Sequence, residues 1–269
     1  MDAITSLVVN TSAYWFKNSN ELIDLKEGRN ASFEYGHYGN PTTKALEEKM
    51  SALEKAESTL FVSSGMYASV GMLAALVPVG RHIVTITDCY RKTRIFIQNE
   101  LPKMGISDSV MMLRACSFVI ARMPMWRRLA QLIKLWDHVL WMIIHKNIVV
   151  RKLLYATLNE IFIFDPADMD SLKSAMDQNN LVNNLSLVFM ESPTNPFLRC
   201  VDIEFISKLC HNKGALVCID ATFASPVNQK ALTLGADIVL HSATKFIGGH
   251  NDVLGGYLSG SEELISKIH

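Results

Sequence analysis

The sequence lacks an excess charge of either sign: 26 lysines and arginines balance 26 aspartates and glutamates, and the pI is near 7.1. No overall basic field is therefore available to attract nucleic acid or an anionic membrane, and we expect neither partner. Disorder is excluded as well, because 49% of the 269 residues are hydrophobic and only 19% are charged. The composition predicts a soluble globular protein of one or two domains.

Long apolar runs and a leader segment are also missing. The most apolar window, residues 129–150, is interrupted by Lys134, Asp137 and Lys146 among others. It therefore falls short of the roughly 18 apolar residues that a membrane-spanning helix needs. The N-terminus has no basic region followed by a long apolar core, so we expect no targeting segment within this sequence.

The cysteines form no close pair. None lies in a CxxC motif or beside a histidine at metal-ligand spacing, so we predict no metal site. An odd number of widely spaced thiols fits a reducing compartment, where they act as small hydrophobic residues. The five are Cys89, Cys116, Cys200, Cys210 and Cys218.

Residues 111–163 differ from the rest of the chain because they contain no glycine, three of the four tryptophans and a net charge of +6. They stand where the flanking pattern predicts a short strand, so we interpret them as an insertion. Three origins remain open: a basic helix that binds a membrane surface or a partner, a tolerated surface insertion, or translated non-coding sequence. We favour the last of these.

Elsewhere, short apolar runs alternate with amphipathic or apolar helical patterns. This alternation predicts a largely parallel sheet covered by helices on both sides, with ligands at the carboxyl ends of its strands. The predicted strands are 59–62, 82–87, 185–190, 215–219 and 237–241, and the predicted helices are 41–58, 65–76, 92–103, 203–212 and 227–234.

The densest group of chemically active residues follows the last predicted strand. Lys245 stands just past this strand, beside Ser242, Thr244 and a glycine pair. A lysine in such a place is partly desolvated, which favours the neutral amine that forms a Schiff base, and the two hydroxyls can donate to a phosphate. A single lysine after a strand is usually a surface residue, but these neighbours favour a functional one.

Motifs at 33–43, 63–66, 87–90, 191–196, 218–224 and 237–250 follow one another along the chain. Their residues and order resemble the Cys/Met-metabolism family of pyridoxal-phosphate (PLP) enzymes, which includes cystathionine γ-synthase, cystathionine lyases and methionine γ-lyase. Within this family, residues 10–16, 88–96, 193–204 and 240–256 are most similar to the plant cystathionine γ-synthases. The resemblance covers about residues 1–110 and 164–269.

The resemblance implies a role for each motif. Lys245 is expected to form the Schiff base with PLP and to act as general acid and base, while Asp220 keeps the pyridine nitrogen protonated. The start of the helix at Gly65 is expected to bind the cofactor phosphate through backbone amides. Tyr90 is expected to stack on the ring and to share the catalytic role, and Asn195 to bond the ring hydroxyl. The other predicted cofactor-binding residues are Ser64, Met66, Thr222, Ser242 and Thr244.

Two further sets of residues concern the partner subunit and the substrate. Tyr35 and His37 match a Tyr-x-Arg pair that, in the family, reaches the neighbouring subunit's cofactor phosphate. His37 replaces the arginine, so we expect a weaker phosphate contact. Arg91 and Lys92 are either a solvated helix start or contacts to the phosphate of O-phosphohomoserine.

The implied fold is α/β, the large domain of the aspartate-aminotransferase-like (type I) PLP transferases with a mostly parallel sheet. Residues 1–40 are expected to form the N-terminal segment that carries dimer-partner site residues, and 41–269 the PLP-binding domain, interrupted by 111–163. The family's C-terminal domain, with its carboxylate-binding arginine, is expected to be absent, so we expect no turnover by this chain alone.

The implied function is γ-replacement in methionine biosynthesis, in which cysteine displaces the leaving group of an activated homoserine to give cystathionine. The partners expected are these amino acids and further copies of the chain, in a homodimer or homotetramer. Two alternatives remain open: a cystathionine or methionine lyase of the same family, and an inactive remnant that binds PLP weakly or associates with full-length subunits. The location expected is the plastid stroma if the full-length protein carries a transit peptide, and otherwise the cytoplasm.

Overall fold

The computed structural model describes residues 7–29, 32–36, 38–86, 88–110 and 185–269. His37 and the predicted insertion at 111–163 lie outside these ranges. The strands are β1 Ser58–Val62, β2 His82–Thr85, β3 Ser107–Val110, β4 Leu185–Glu191, β5 Leu216–Asp220, β6 Ile238–His241 and β7 Gly256–Gly260. The α-helices are α1 Ser19–Lys26, α2 Pro41–Glu54, α3 Gly65–Leu76, α4 Arg91–Asn99, α5 Ile203–His211, α6 Ser225–Asn228 and α7 Glu262–Ile268.

The strands that the structure describes form one mostly parallel sheet in the order β1-β7-β6-β5-β4-β2-β3. Only β7 runs antiparallel to its neighbours, β1 and β6. The predicted strands and helices are thus largely present, with two differences. The pattern at 227–234 becomes the short helix α6 followed by a 3-10 turn at Ala231–Leu234. Strands β3 and β7 and helices α1 and α7 were not predicted.

Each parallel strand contributes apolar residues to both faces of the sheet, as β4 and β5 show. Val188 and Val217 pack with α5 on one face, whereas Phe189 and Cys218 pack with α3, α4 and α7 on the other. All four are fully buried. The sequence predicted this burial on both faces because strands covered by helices on each side read as continuous apolar runs.

Helix α2 is joined to the strands of the sheet by a buried polar cluster. The Tyr257 hydroxyl of β7 donates to Glu54 Oε1 at the end of α2, over 2.8 Å, and His241 Nε2 of β6 lies 2.8 Å from the same oxygen. The rings of His241 and Tyr257 stack with centroids 4.8 Å apart. This cluster fixes the end of β6, which the Lys245 loop follows.

The first prediction concerns this cluster. Tyr257→Phe leaves the buried Glu54 carboxylate without its hydroxyl donor, so we expect a loss of about 1–3 kcal/mol in the free energy of unfolding. Urea denaturation measures this loss. Tyr67→Phe is the matched control, because Tyr67 is 57% exposed and should change stability little. Equal effects of the two substitutions would contradict the role given to the cluster.

Candidate active site

A cavity of about 650 Å³ opens at the carboxyl ends of the parallel strands. Its size is typical of small-molecule sites, and its position is the one at which open α/β sheets bind ligands. Ten of the predicted site residues line it, which are Ser64, Gly65, Met66, Tyr90, Asn195, Asp220, Thr222, Ser242, Thr244 and Lys245.

Asp220 ends β5 and is held by a short chain of hydrogen bonds. Its Oδ1 accepts the Thr222 N–H over 3.0 Å and the Thr222 hydroxyl over 2.6 Å. Thr222 Oγ1 in turn accepts the Ser242 N–H over 2.8 Å. Burial raises the pKa of Asp220, whereas the Thr222 donors and His241 oppose this rise. The carboxylate is therefore oriented by the protein itself before any ligand binds.

Lys245 lies in the tight turn that follows β6. The Lys245 N–H donates to the Ser242 carbonyl over 3.1 Å, and its own carbonyl accepts the Gly249 N–H over 2.8 Å. The neighbouring Thr244 hydroxyl pairs with the Gly255 backbone, donating to its carbonyl and accepting from its N–H. The backbone of Lys245 is thus well fixed, but its side chain is more exposed than the sequence predicted, because the cavity mouth is open.

Helix α3 points its N-terminus at the cavity. Ser64 caps the helix by accepting the Tyr67 N–H over 3.0 Å. Gly65 lies so close to β6 that an added Cβ would stand 2.7 Å from Ser242 Cβ and 2.8 Å from its Cα. An added Cβ at Gly256 would stand 2.4 Å from the Ser64 carbonyl oxygen. The two glycines therefore let the first turn of α3 pack directly on β6 and β7, where its amides can bind an anion.

Tyr90 and Asn195 approach the cavity from two other strand ends. Tyr90 precedes α4, and its side chain is 46% exposed in the cavity wall. Asn195 follows β4, and its N–H lies 3.3 Å from the Asp88 carbonyl oxygen. The structure therefore places an aromatic ring and an amide side chain in the same wall as Asp220.

Three predicted residues lie elsewhere in the described ranges. Tyr35 belongs to the N-terminal segment, where it packs against Tyr38 and is 41% exposed. Arg91 and Lys92 are exposed in the first turn of α4. None of the three lines the cavity of this chain.

The most informative residue that sequence reasoning did not assign is Glu191, the last residue of β4. It lines the cavity, is only 3% exposed and pairs in register with Asp220. Burial, followed by the repulsion of Asp220, raises the pKa of Glu191 to about 9. A signal was available in the sequence, since a carboxylate that ends an apolar strand must be buried or paired. Ser69, Thr93, Phe223, Phe246, Gly249, Asn251 and Leu254 complete the lining.

Comparison with known proteins identifies the family. The sequence profile of the "Cys/Met metabolism PLP-dependent enzyme" family matches residues 1–120 and 137–269. This chain belongs to that family. Much of the predicted insertion at 111–163 therefore falls within matched residues, and only 121–136 lies between the two matched parts.

The family relatives include plant and bacterial enzymes. "Cystathionine gamma-synthase 1, chloroplastic" of Nicotiana tabacum is 55% identical over 99% of this chain and 39% of its own length. "L-methionine gamma-lyase" of Fusobacterium nucleatum subsp. polymorphum is 34% identical over 88% of this chain and 46% of its own length. The chain thus spans less than half the length of either relative.

A solved structure supports the fold. The crystal structure titled "metB from Corynebacterium glutamicum" superposes with a TM-score of 0.71 at 27% identity, over 99% of this chain and 52% of that one. The type I PLP-transferase fold predicted from the sequence is thereby confirmed.

The residues present fit the family's cofactor. PLP carries a phosphate, a pyridine nitrogen and an aldehyde, and the cavity offers helix amides, a buried carboxylate and a lysine amine for these three groups. The close approach at Gly65 brings the start of α3 beside the Ser242 hydroxyl, and Thr244 lines the same cavity. The described ranges thus offer one group for each of these three parts of the cofactor.

The second prediction tests the packing of α3 on β6. Gly65→Ala forces a Cβ against the Ser242 backbone, which cannot move away as a flexible side chain could. We expect a loss of about 1–3 kcal/mol in the free energy of unfolding and a large loss of affinity for inorganic phosphate and PLP. Thermal denaturation and fluorescence titration measure the two effects.

Gly71→Ala is the control in the same helix. An added Cβ there comes no closer than 3.7 Å to Tyr67, which is ordinary contact. We expect this variant to be stabilised by about 0.5–1 kcal/mol, because alanine favours helix interiors. A Gly65→Ala variant as stable as Gly71→Ala would show that the close approach is not required.

Proposed function

We propose that this chain holds PLP on Lys245 and supports γ-replacement on an activated homoserine by cysteine, which yields cystathionine. The observation that carries the proposal is that Lys245, Asp220 and the N-terminus of α3 line one cavity. The similarity to the tobacco cystathionine γ-synthase favours this reaction within the family. Because the chain covers only part of that relative, the activity is proposed for the protein to which these residues contribute.

Five residues would hold the cofactor in place. The Gly65 and Met66 amides, with the Ser242 hydroxyl, would bind its phosphate, and the Thr244 hydroxyl would join them by turning away from the Gly255 carbonyl. Asp220, oriented by Thr222, would keep a proton on the pyridine nitrogen. When bound, PLP supplies an electron sink for negative charge that develops on the substrate carbons.

Lys245 would act as the general base and general acid. The neutral Lys245 Nζ would take a proton from the α carbon and then one from the β carbon, and would return a proton to each carbon after the new bond to the γ carbon has formed. The leaving group departs from the γ carbon with its bonding electron pair. The cysteine sulfur then forms the new bond to that carbon, and its thiol proton is released.

The start of α4 is the proposed contact for a phosphorylated substrate. Arg91 and Lys92 are exposed and follow Tyr90 directly, so they lie beside the cavity wall without lining it. If O-phosphohomoserine is the activated substrate, charge reversal in Lys92→Glu should raise its KM about tenfold while kcat changes little. An unchanged KM would leave Lys92 as a solvated helix start.

A lyase function is the second candidate, because the Fusobacterium methionine γ-lyase is also a relative. The described cofactor residues would serve both reactions. Assays that supply activated homoserine with cysteine, or methionine alone, separate the two. Cystathionine as product supports the synthase, whereas a 2-oxo acid and ammonia from methionine support the lyase.

The assembly proposed is a homodimer or a homotetramer built from two dimers. Large exposed apolar side chains surround the cavity mouth, including Phe246 and Leu254 at 62% and 75% exposure. A second subunit would cover them, and would receive Tyr35 and His37 of the 1–40 segment at its own cofactor site. Sedimentation velocity should therefore show at least a dimer.

The proposed cellular location is inferred from the name of a relative. The tobacco enzyme is named as chloroplastic, which supports the plastid stroma, with the cytoplasm as the alternative. Within the residues that the structure describes, no helix has the length and apolar character needed to cross a membrane.

The third prediction tests cofactor attachment. PLP added to the purified chain should give a new visible absorbance band, and borohydride should fix the pyridoxyl group on the peptide that contains Lys245. Lys245→Ala should abolish both signals because it removes the only proposed point of attachment. Mass mapping of the reduced protein identifies the labelled peptide.

Lys208→Ala is the control for general lysine reactivity. Lys208 lies on α5, where it pairs with Glu204 over 2.7 Å, and it does not line the cavity. This variant should keep the band and the Lys245 label. Label scattered over surface lysines in the unchanged chain would contradict the proposal and favour an inactive remnant.

A further inference from the structure

Glu191 occupies a central position between the residues that would contact the cofactor ring. It ends β4 beside Asp220, the last residue of β5, and its side chain is buried in the cavity wall. The mechanism above gives it no task. Burial of a carboxyl group destabilises the fold, because the group loses its hydration. We therefore expect Glu191 to have a role in the site.

The Glu191 carboxyl group contacts the backbones of two loops. Its Oε1 accepts the N–H of Tyr90, which begins α4. The Asn195 N–H, in the loop after β4, donates to the Asp88 carbonyl and also lies near enough to the Glu191 carboxyl group to lower its pKa. Tyr90 and Asn195 are the proposed contacts to the face and to the hydroxyl of the ring.

A further contact between these two loops in the described residues is longer, with 3.9 Å between Arg199 Nη1 and Asp88 Oδ2. Tyr90 stands at the N-cap of α4, but its side chain makes no capping hydrogen bond in the described structure. The Asn195 nitrogen lies 3.3 Å from the carbonyl oxygen of Asp88, which is two residues before Tyr90. This contact joins the same two loops. The carboxyl group of Glu191 is thus the side chain that links both loops to the end of the sheet.

The protonation states of Glu191 and Asp220 are consistent with such a role. Burial and the neighbouring Asp220 raise the pKa of Glu191, so it keeps its proton near neutral pH. Burial raises the pKa of Asp220 as well, but two hydrogen bonds from Thr222 oppose this rise by stabilising the negative carboxylate. A protonated Glu191 can still accept backbone N–H groups, without repelling the carboxylate that would serve the pyridine nitrogen.

We propose that Glu191 is a positioning residue that fixes the Tyr90 and Asn195 backbones, and so sets the place of the aromatic ring and the amide beside the cofactor. The inference rests on the proposed function for the role of those two residues. The contacts of Glu191 are present in the chain without cofactor. They can therefore be tested separately from the proposed function.

The first arm of the experiment measures hydrogen exchange in the chain without PLP. Glu191→Gln keeps the volume but offers one carbonyl oxygen in place of the carboxyl group, and Glu191→Leu removes both acceptors. We expect exchange to become about tenfold faster in the peptides that contain Tyr90 or Asn195, most strongly in Glu191→Leu. Mass spectrometry of peptic fragments gives the rates.

Glu47→Gln is the matched control. Glu47 Oε1 accepts the Phe61 N–H over 2.8 Å, burial raises its pKa, and it does not line the cavity. This variant should leave exchange at Tyr90 and Asn195 unchanged. Unchanged exchange at both amides in the Glu191 variants would overturn the proposal, as would an increase spread evenly over the sheet.

The second arm adds PLP and records the visible circular dichroism of the bound cofactor. The Glu191 variants should keep the borohydride label on Lys245 but lose at least half of the dichroic signal, because the ring loses its fixed surroundings. A full signal in Glu191→Leu would overturn the positioning role. If the unchanged chain takes up no PLP, the proposed function fails, whereas the exchange rates still decide whether Glu191 fixes the two amides.

Discussion

Parallel pairing of β2, β4, β5 and β6 is the constraint on which the whole site depends. Strands that run in one direction deliver their carboxyl ends to one edge of the sheet. Residues far apart in the chain, such as Glu191 and Asp220, therefore become neighbours by register alone. The burial of both sheet faces keeps this register fixed, because a slip of one residue would exchange the packing of every side chain.

The hydrogen bonds at this edge run from one strand end to the next. The Ser242 N–H donates to the Thr222 hydroxyl, which donates to Asp220. On the far side of Asp220, Glu191 connects to Tyr90. These polar groups are thus satisfied by one another, so the protein alone fixes their arrangement.

Much of this fold is encoded locally, and the exceptions have physical causes. Helix α3 follows its predicted bounds because a serine cap and a continuous apolar run determine it. The segment at 227–234 reads as one helix, yet it folds as α6 and a separate 3-10 turn, with Gln229 donating to the Ser192 carbonyl beside the break. Strand β7 is rich in glycine and is stabilised by pairing with β1 and β6, which no local pattern reveals.

The site residues also divide into those that the local sequence identifies and those that depend on contacts with distant parts of the chain. Lys245, Asp220 and Gly65 could be assigned because each stands at the end of an element and belongs to a motif that resembles the family's. Glu191 carries one such signal, a carboxylate at the end of an apolar strand, but its proposed role also depends on Asp220 from another strand and on an N–H group 101 residues away. Arg91, Lys92 and Tyr35 lie off the cavity, and their roles depend on a substrate and a second subunit.

The contact of Gly65 and Gly256 with neighbouring backbone has a consequence for sequence variation. The main chain at the start of α3 rests against main chain on both sides, so the positions of its amides do not depend on the side chains of the first turn. Met66 and Tyr67 can therefore differ among relatives without moving an anion bound there.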